Sequence, residues 1–154
     1  MNNTPDKTLI IMVGLPFSGK STKALETGYP IVSPEGVRLA IHGRNYCAEA
    51  EGLVWTFARY MVHSLFNAGH DNVVLDGCHT KLRRRQQWES PKWRRQFYVM
   101  TTTVEECAQR AEVIKDEILR SNIQESIARM ELEYEPVSRE EGEIIICDYA
   151  DYEA

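Results

Sequence analysis

The sequence predicts an α/β domain: a parallel sheet of about five strands, covered by helices on both faces and carrying a helical lid. Three observations carry this. Apolar runs rich in β-branched residues recur at "TLIIMV" (Thr8–Val13), "NVVLD" (Asn72–Asp76), "QFYVM" (Gln96–Met100) and "EIIIC" (Glu143–Cys147). The first two and the last are continuously apolar rather than alternating, as strands buried on both faces read. Segments of helical periodicity lie between them, the order that gives parallel strands. At 154 residues the chain is expected to be one domain, 1–154, with a single core.

Taken in order, the first strand ends at Gly14, and a helix opens near Lys20 and runs to about Thr27, stopped by Gly28 and Pro30. "PIVS" (Pro30–Ser33) is a short second strand. Pro34 then sits at a helix start and Gly43 just past its end. Residues 48–68 are the clearest helix, with Leu53, Phe57, Met61, Leu65 and Ala68 as the inward stripe, joined by Val54 and Tyr60. Residues 81–89 are expected to be helical up to Pro91, and the stretch from Thr103 to about Leu132 to be helical with a break near Ser121-Asn122.

Composition excludes several classes. An apolar fraction of 43% and a charged fraction of 27% are ordinary for a globular domain. No apolar stretch approaches the roughly 20 residues that cross a bilayer, so no membrane is expected as a partner. The start "MNNTPDK" is polar, and the expected compartment is the cytoplasm. Cys47, Cys78, Cys107 and Cys147 are scattered without C-x-x-C spacing, which points to free thiols. The net charge of −5 argues against indiscriminate nucleic-acid binding. Yet "KLRRRQQWESPKWRR" (residues 81–95) sets seven cations against Glu89, leaving +6 there and −11 elsewhere. Such segregation is either a polyanion footprint or a solvated basic face.

The strongest local signal is "GLPFSGKS", Gly14-Leu15-Pro16-Phe17-Ser18-Gly19-Lys20-Ser21, followed by Thr22. Two glycines, a lysine and a hydroxyl at this spacing, after a strand and opening a helix, make a phosphate-binding P-loop. Its backbone N–H groups and the helix dipole face the phosphates of ATP or another nucleoside triphosphate. Lys20 reaches the β- and γ-phosphates, and the Ser21 hydroxyl joins the Mg²⁺ shell. Asp76, at the carboxyl end of its strand, is the candidate carboxylate for that cation; its alternative is a cap on the next turn. Glu35 and Arg38, three apart after the second strand, share a helix face. They read as a base for an acceptor hydroxyl and a contact to an acceptor phosphate, or equally as a surface pair. Lid cations for the transferring group are Arg110, Lys115 and Arg120.

With these residues in place the chain resembles the P-loop kinases grouped with polynucleotide 5′-hydroxyl kinase, a pattern shared by phage "AAA-type ATPases". The resemblance runs from "IIMVGLPFSGKST" to "YEPVSREEGEIIIC". It implies that Glu35 is the general base, where the family usually has aspartate, and that Arg38 contacts the acceptor. After the third strand the family tends to have Asp-x-Thr-Asn, then Arg-Arg and Trp. Here stand Asp76-Gly77-Cys78-His79, then Arg84, Arg85 and Trp88. The resemblance thus implies acceptor contacts from Arg84 and Arg85, with His79 as an altered position that either bonds the acceptor or is a solvated loop residue. Arg110 matches a lid arginine, while Ile114 stands where a second is common and Lys115 is an imperfect substitute. "IHGRNYCAEAEGLVWTFARYMVHSLFNAGH" looks like phage members, some of which phosphorylate a hydroxymethyl group on a modified DNA base.

The expected function is therefore transfer of the γ-phosphoryl of ATP, with Mg²⁺, to a hydroxyl of a polynucleotide, DNA or RNA. The catalytic set is Lys20, Glu35, Asp76 and Arg110. Trp88 and Trp93 either stack bases or belong to the core, the latter favoured for Trp88. The alternatives are a small-molecule kinase acting on a nucleoside, sugar or antibiotic, or a nucleotide-dependent binding module with weak ATPase activity. No protein partner is evident from the sequence.

Overall fold

Strand β1 (Thr8–Val13) runs through the centre of the molecule with all six residues buried. In this computed structural model residues 5–43 and 46–148 are described. The rest, which include part of "MNNTPDK" and Arg44-Asn45 of the phage-like phrase, lie outside the described residues. The following elements are α1 (Lys20–Glu26), β2 (Ile31–Val32), α2 (Pro34–His42), α3 (Glu51–Asn67), β3 (Asn72–Leu75), α4 (Leu82–Gln86), β4 (Arg94–Met100), α5 (Val104–Arg110), α6 (Glu117–Leu132) and β5 (Glu143–Cys147). All strand pairs are parallel, in the order β2-β3-β1-β4-β5. The expected five-stranded α/β architecture is the one observed.

Alternation along β1 divides the core between the two sheet faces. Leu9, Ile11 and Val13 pack with Ala58, Val62 and Phe66 of α3 and with Trp88, Trp93 and Phe97. Ile10 and Met12 pack on the other face with Ala24 of α1, Val74 and Met100. A third cluster joins Leu15 to Cys107, Ala111 and Ile127, with Phe17 packed against it, so α5 and α6 close over the turn that follows β1. The four cysteines are free. Among the described residues no helix is long and apolar enough to cross a membrane.

Three sequence expectations change. The inward stripe of α3 is Val54, Ala58, Val62 and Phe66, whereas Leu53, Phe57, Tyr60 and Met61 are exposed. Both stripes have helical spacing, and the smaller residues won the sheet side because they allow close approach. The break in the last helical stretch falls at 111–116 rather than near Ser121-Asn122. Asp116 caps α6 by accepting from the backbone N–H groups of Ile118 and Leu119. Helix α4 ends at Gln86, short of residue 89, because Trp88 turns into the core.

Candidate functional site

Because all strands are parallel, their carboxyl ends gather on one edge, where a ligand crevice is expected. The loop after β1 arrives there first. Gly19 caps α1 at φ 95°, a left-handed conformation that disfavours any side chain. A Cβ at Gly14 would lie 2.6 Å from Ser18 Oγ and 3.0 Å from Met100 Cβ, so this position must be bare for the loop to lie against β4. Phe17 also holds positive φ, at 65°.

The loop is braced from several directions. Lys20 Nζ donates to the Leu15 carbonyl at 2.7 Å, which keeps its ammonium inside the curve of the loop. Thr102 Oγ1, from the turn after β4, donates to the Ser18 carbonyl at 2.7 Å. Arg110 of α5 donates to the Phe17 carbonyl at 3.1 Å. The Gly14 N–H donates to the Cys78 carbonyl at 3.0 Å, linking the loops after β1 and β3. Thr22 lies in the first turn of α1.

Ser21 Oγ donates to Asp76 Oδ2 at 2.7 Å. A hydroxyl and a carboxylate oxygen in contact are hard donors suited to Mg²⁺, which takes few protein ligands beside phosphate oxygens and water. Among the described residues no group of three or more His, Cys, Asp or Glu is placed to cage a metal. Ser21 and Asp76 thus fit the cation that a nucleoside triphosphate carries.

His79 is not a solvated loop residue. It is buried with φ 46°, and its Nδ1 lies 3.0 Å from the Met12 carbonyl, so that nitrogen carries the proton. Burial pushes its pKa down to about 4 and nearby Lys20 adds to this, while the carbonyls of Met12 and Gly77 and the charge of Asp76 pull the other way. His79 is therefore neutral at physiological pH. A Cβ at Gly77 would sit 2.8 Å from its ring, so the bare glycine lets the imidazole fold under the loop.

On the β2 side, Ser33 caps α2 by accepting from the Gly36 N–H at 3.2 Å, which leaves Glu35 exposed in the first turn. Arg38 is engaged by Glu51 of α3: Nε donates to Oε2 at 3.0 Å and Nη2 to Oε1. The fork of Arg38 is thus already oriented by a carboxylate, and only its remaining donor edge can meet a ligand.

The basic segment 81–95 does not form one patch. Arg85 is fully buried, donating to Glu141 at 2.8 Å and to the His79 carbonyl at 2.9 Å. Burial opposes ionisation of Glu141, but its bonds from Arg85 and the Ser138 N–H hold its pKa below the usual carboxylate range. Lys81 pairs with Glu133, and Arg95 with Glu89. Arg94 stands opposite Thr8, at the amino end of the sheet, away from the loop after β1. Trp88 and Trp93 are both core residues, 1% and 2% exposed, so neither offers a stacking face. Of the basic residues on α4, Arg83 and Arg84 remain exposed.

Lys20, Ser21 and Asp76 are therefore brought together, with Arg110 of α5 bonded to the same loop and Glu35 and Arg38 on the β2 side of the crevice. Lys115 is exposed, and Arg120 donates to the Ile114 carbonyl at 3.0 Å. Sequence reasoning missed Thr102, Glu51, Trp55 and Arg59. The last three stand four residues apart along α3, a spacing that was legible but overshadowed by the apolar stripes.

No protein-family profile matches the chain, and comparison with curated sequences finds no match. Solved structures do match. One chain of a Pnkp1/Rnl/Hen1 complex is 27% identical at TM-score 0.64, covering 75% of this chain and 43% of that one. A chain of the Pnkp1/Rnl/Hen1 RNA repair complex is 24% identical at TM-score 0.65, covering 90% and 50%. A sugar kinase from a Janibacter species is 16% identical at TM-score 0.62, covering 94% and 86%. The chain spans half or less of the first two chains. Its five-stranded parallel α/β fold is shared with these structures.

Proposed function

We propose that this protein is an ATP- and Mg²⁺-dependent kinase that transfers the γ-phosphoryl group to a hydroxyl of a polynucleotide. The hydroxyl is a 5′ end or a hydroxymethyl group on a modified base. The observation that carries the reading is the junction of Lys20, Ser21 and Asp76. A lysine inside an amide-lined loop and a hydroxyl–carboxylate contact 2.7 Å long, at the carboxyl ends of adjacent strands, suit a triphosphate and little else. The 27% likeness to a chain of the Pnkp1/Rnl/Hen1 complex favours this acceptor class.

In this reading the backbone N–H groups from Gly14 to Ser21 wrap the phosphates, and Lys20 exchanges its bond to Leu15 for the β- and γ-oxygens. Mg²⁺, when bound, would neutralise phosphate charge, and Ser21 and Asp76 would hold it. Arg110 donates toward the transferring group from the lid, where charge spreads over the equatorial oxygens. Asp76 is committed to Ser21, so the exposed Glu35 carboxylate is the group that accepts the proton of the attacking hydroxyl. Arg38, fixed by Glu51, orients the acceptor from the same helix. His79 is neutral and buried, and it supports the loop rather than exchanging protons.

The test is transfer from γ-labelled ATP to a panel of 5′-hydroxyl DNA, 5′-hydroxyl RNA, hydroxymethyluracil-containing duplex, free nucleosides and simple sugars. Label on one of the first three is the expected result. Label on nucleosides or sugars alone makes the protein a small-molecule kinase. Release of inorganic phosphate alone makes it a nucleotide-dependent binding module.

A further inference from the structure

A groove of about 380 Å³ lies between α3 and α4, lined by Trp55, Thr56, Arg59, Arg84, Gln87 and Trp88. Its cations are arranged in an unusual way. The Arg84 guanidinium lies over the Trp55 ring, 5.5 Å from its centroid, and that of Arg59 over Trp88 at 4.8 Å. Arg59 also donates to the Gln87 carbonyl. Among the described residues the Arg84 side chain has no hydrogen-bond or ion-pair partner, and no carboxylate lines the groove. The indole N–H of Trp55, buried in the same wall, has no acceptor either. Donors are in excess here and acceptors few.

A guanidinium laid on an aromatic face keeps its N–H edge free and gives up little rotamer freedom when that edge is later used. The free fork of Arg84, beside the donors of Arg59 that Gln87 does not take, forms in this otherwise acidic protein a ready seat for an oxyanion that accepts bidentate bonds. Ring packing also ties the groove's wall to the crevice's wall. Trp55 meets His79 edge-on, with centroids 6.3 Å apart, and His79 belongs to the loop that starts at Asp76. Glu51, which holds Arg38, and then Trp55 and Arg59 follow one another at four-residue steps on one face of α3, about 6 Å apart along the axis.

Resting on the kinase reading above, we infer that this groove seats a phosphodiester of the acceptor strand, one or more nucleotides from the reacting hydroxyl. Arg84 and Arg59 hold its non-bridging oxygens, and the two tryptophans hold the arginines. The shared chemistry is a phosphate oxyanion, supplied either by an internal phosphodiester or by the terminal phosphate of a mononucleotide acceptor.

The experiment measures binding without ATP, using fluorescence anisotropy of a 3′-labelled, 5′-hydroxyl single-stranded oligonucleotide over a salt series, for wild type, Arg84→Gln, Arg59→Gln and Arg84→Lys. ATP affinity and thermal unfolding of each variant are measured alongside. Each Gln variant is expected to weaken the oligonucleotide about tenfold or more and to lower the salt slope by about 0.7, with ATP affinity unchanged. Arg84→Lys should recover the slope but only part of the affinity, because a lysine lacks the fork. If a nucleoside 3′-monophosphate competes and is weakened equally by Arg84→Gln, the seat is confirmed and takes the terminal phosphate. Unchanged oligonucleotide affinity in both folded Gln variants overturns the proposal, as does a folded wild type that binds no oligonucleotide. The kinase reading is judged separately. Groove-dependent binding without transfer to any hydroxyl sinks the kinase alone, and transfer to an oligonucleotide hydroxyl with affinity unchanged in both Gln variants sinks the groove alone.

Discussion

The loop after β1 and the α3–α4 wall flank the Asp76–His79 segment, yet they are built in opposite ways. The loop is held through its backbone: the carbonyls of Leu15, Phe17 and Ser18 accept from Lys20, Arg110 and Thr102. The wall is held by charge placed on apolar surface, with Arg59 and Arg84 over indole rings and Arg85 sealed beneath with Glu141. Under the proposed function the loop takes the donor phosphates, which are the same whatever the acceptor, and the wall takes the acceptor, which varies.

Within the wall, neighbouring residues give the sharpest contrast. Arg85 has no exposed surface and satisfies its donors internally, whereas Arg84 is exposed. Arg85→Ala should be the most damaging change to stability, at about 3–5 kcal/mol, because it leaves Glu141 as a buried carboxylate without its partner. Arg84→Gln should change stability by less than about 0.5 kcal/mol. Urea titration of the two variants checks both. Equal losses would mean that the groove arginine is as structural as its neighbour.

On the loop side the corresponding change is Lys20→Ala. It should lower kcat about 10²–10³-fold while leaving the unfolding midpoint close to wild type, since the bond to Leu15 is a single contact. Steady-state kinetics beside a thermal melt separates the two effects.

His79, between the regions, sharpens the comparison through pH. Its folded pKa of about 4 lies below the ordinary 6.5, so the unfolded chain binds a proton that the folded protein does not. The stabilisation from keeping this ring neutral is complete above pH 6.5 and is lost as the pH falls from there to about 4. Linkage puts the total at about 3 kcal/mol. His79→Asn, a residue that tolerates positive φ, should be less stable at pH 7 but flatter between pH 6.5 and 4. Denaturation at several pH values reads the slope directly, and an unchanged slope would show that another group carries the acid sensitivity.

The sheet and the donor loop were legible in the sequence because both are local. Unbroken apolar runs mark buried strands, and the glycine, lysine and serine of the loop are spaced by the backbone they form. The wall was not legible in this way. Arg84 and Arg85 read alike in a basic helix, and what separates them is Glu141, which lies 56 residues away. Trp88 and Trp93 read as stacking surfaces or core, and the sheet's need for bulk on that face decides for core. Trp55 showed only its four-residue spacing from Glu51 and Arg59, since its partners Arg84 and His79 come from beyond β3. The α3 stripes show the same limit: two apolar faces at helical spacing compete, and only packing against β1 and β3 tells which is buried.

The most direct measurement is an internal competition. Wild-type protein is given γ-labelled ATP, Mg²⁺, and equal concentrations of a 5′-hydroxyl oligonucleotide and a free nucleoside, so that product ratios report the ratio of kcat/KM. Label concentrated in the oligonucleotide, and shifting toward the nucleoside as salt is raised, is the result predicted here. Label in the nucleoside at every salt concentration, or in inorganic phosphate alone, would contradict it.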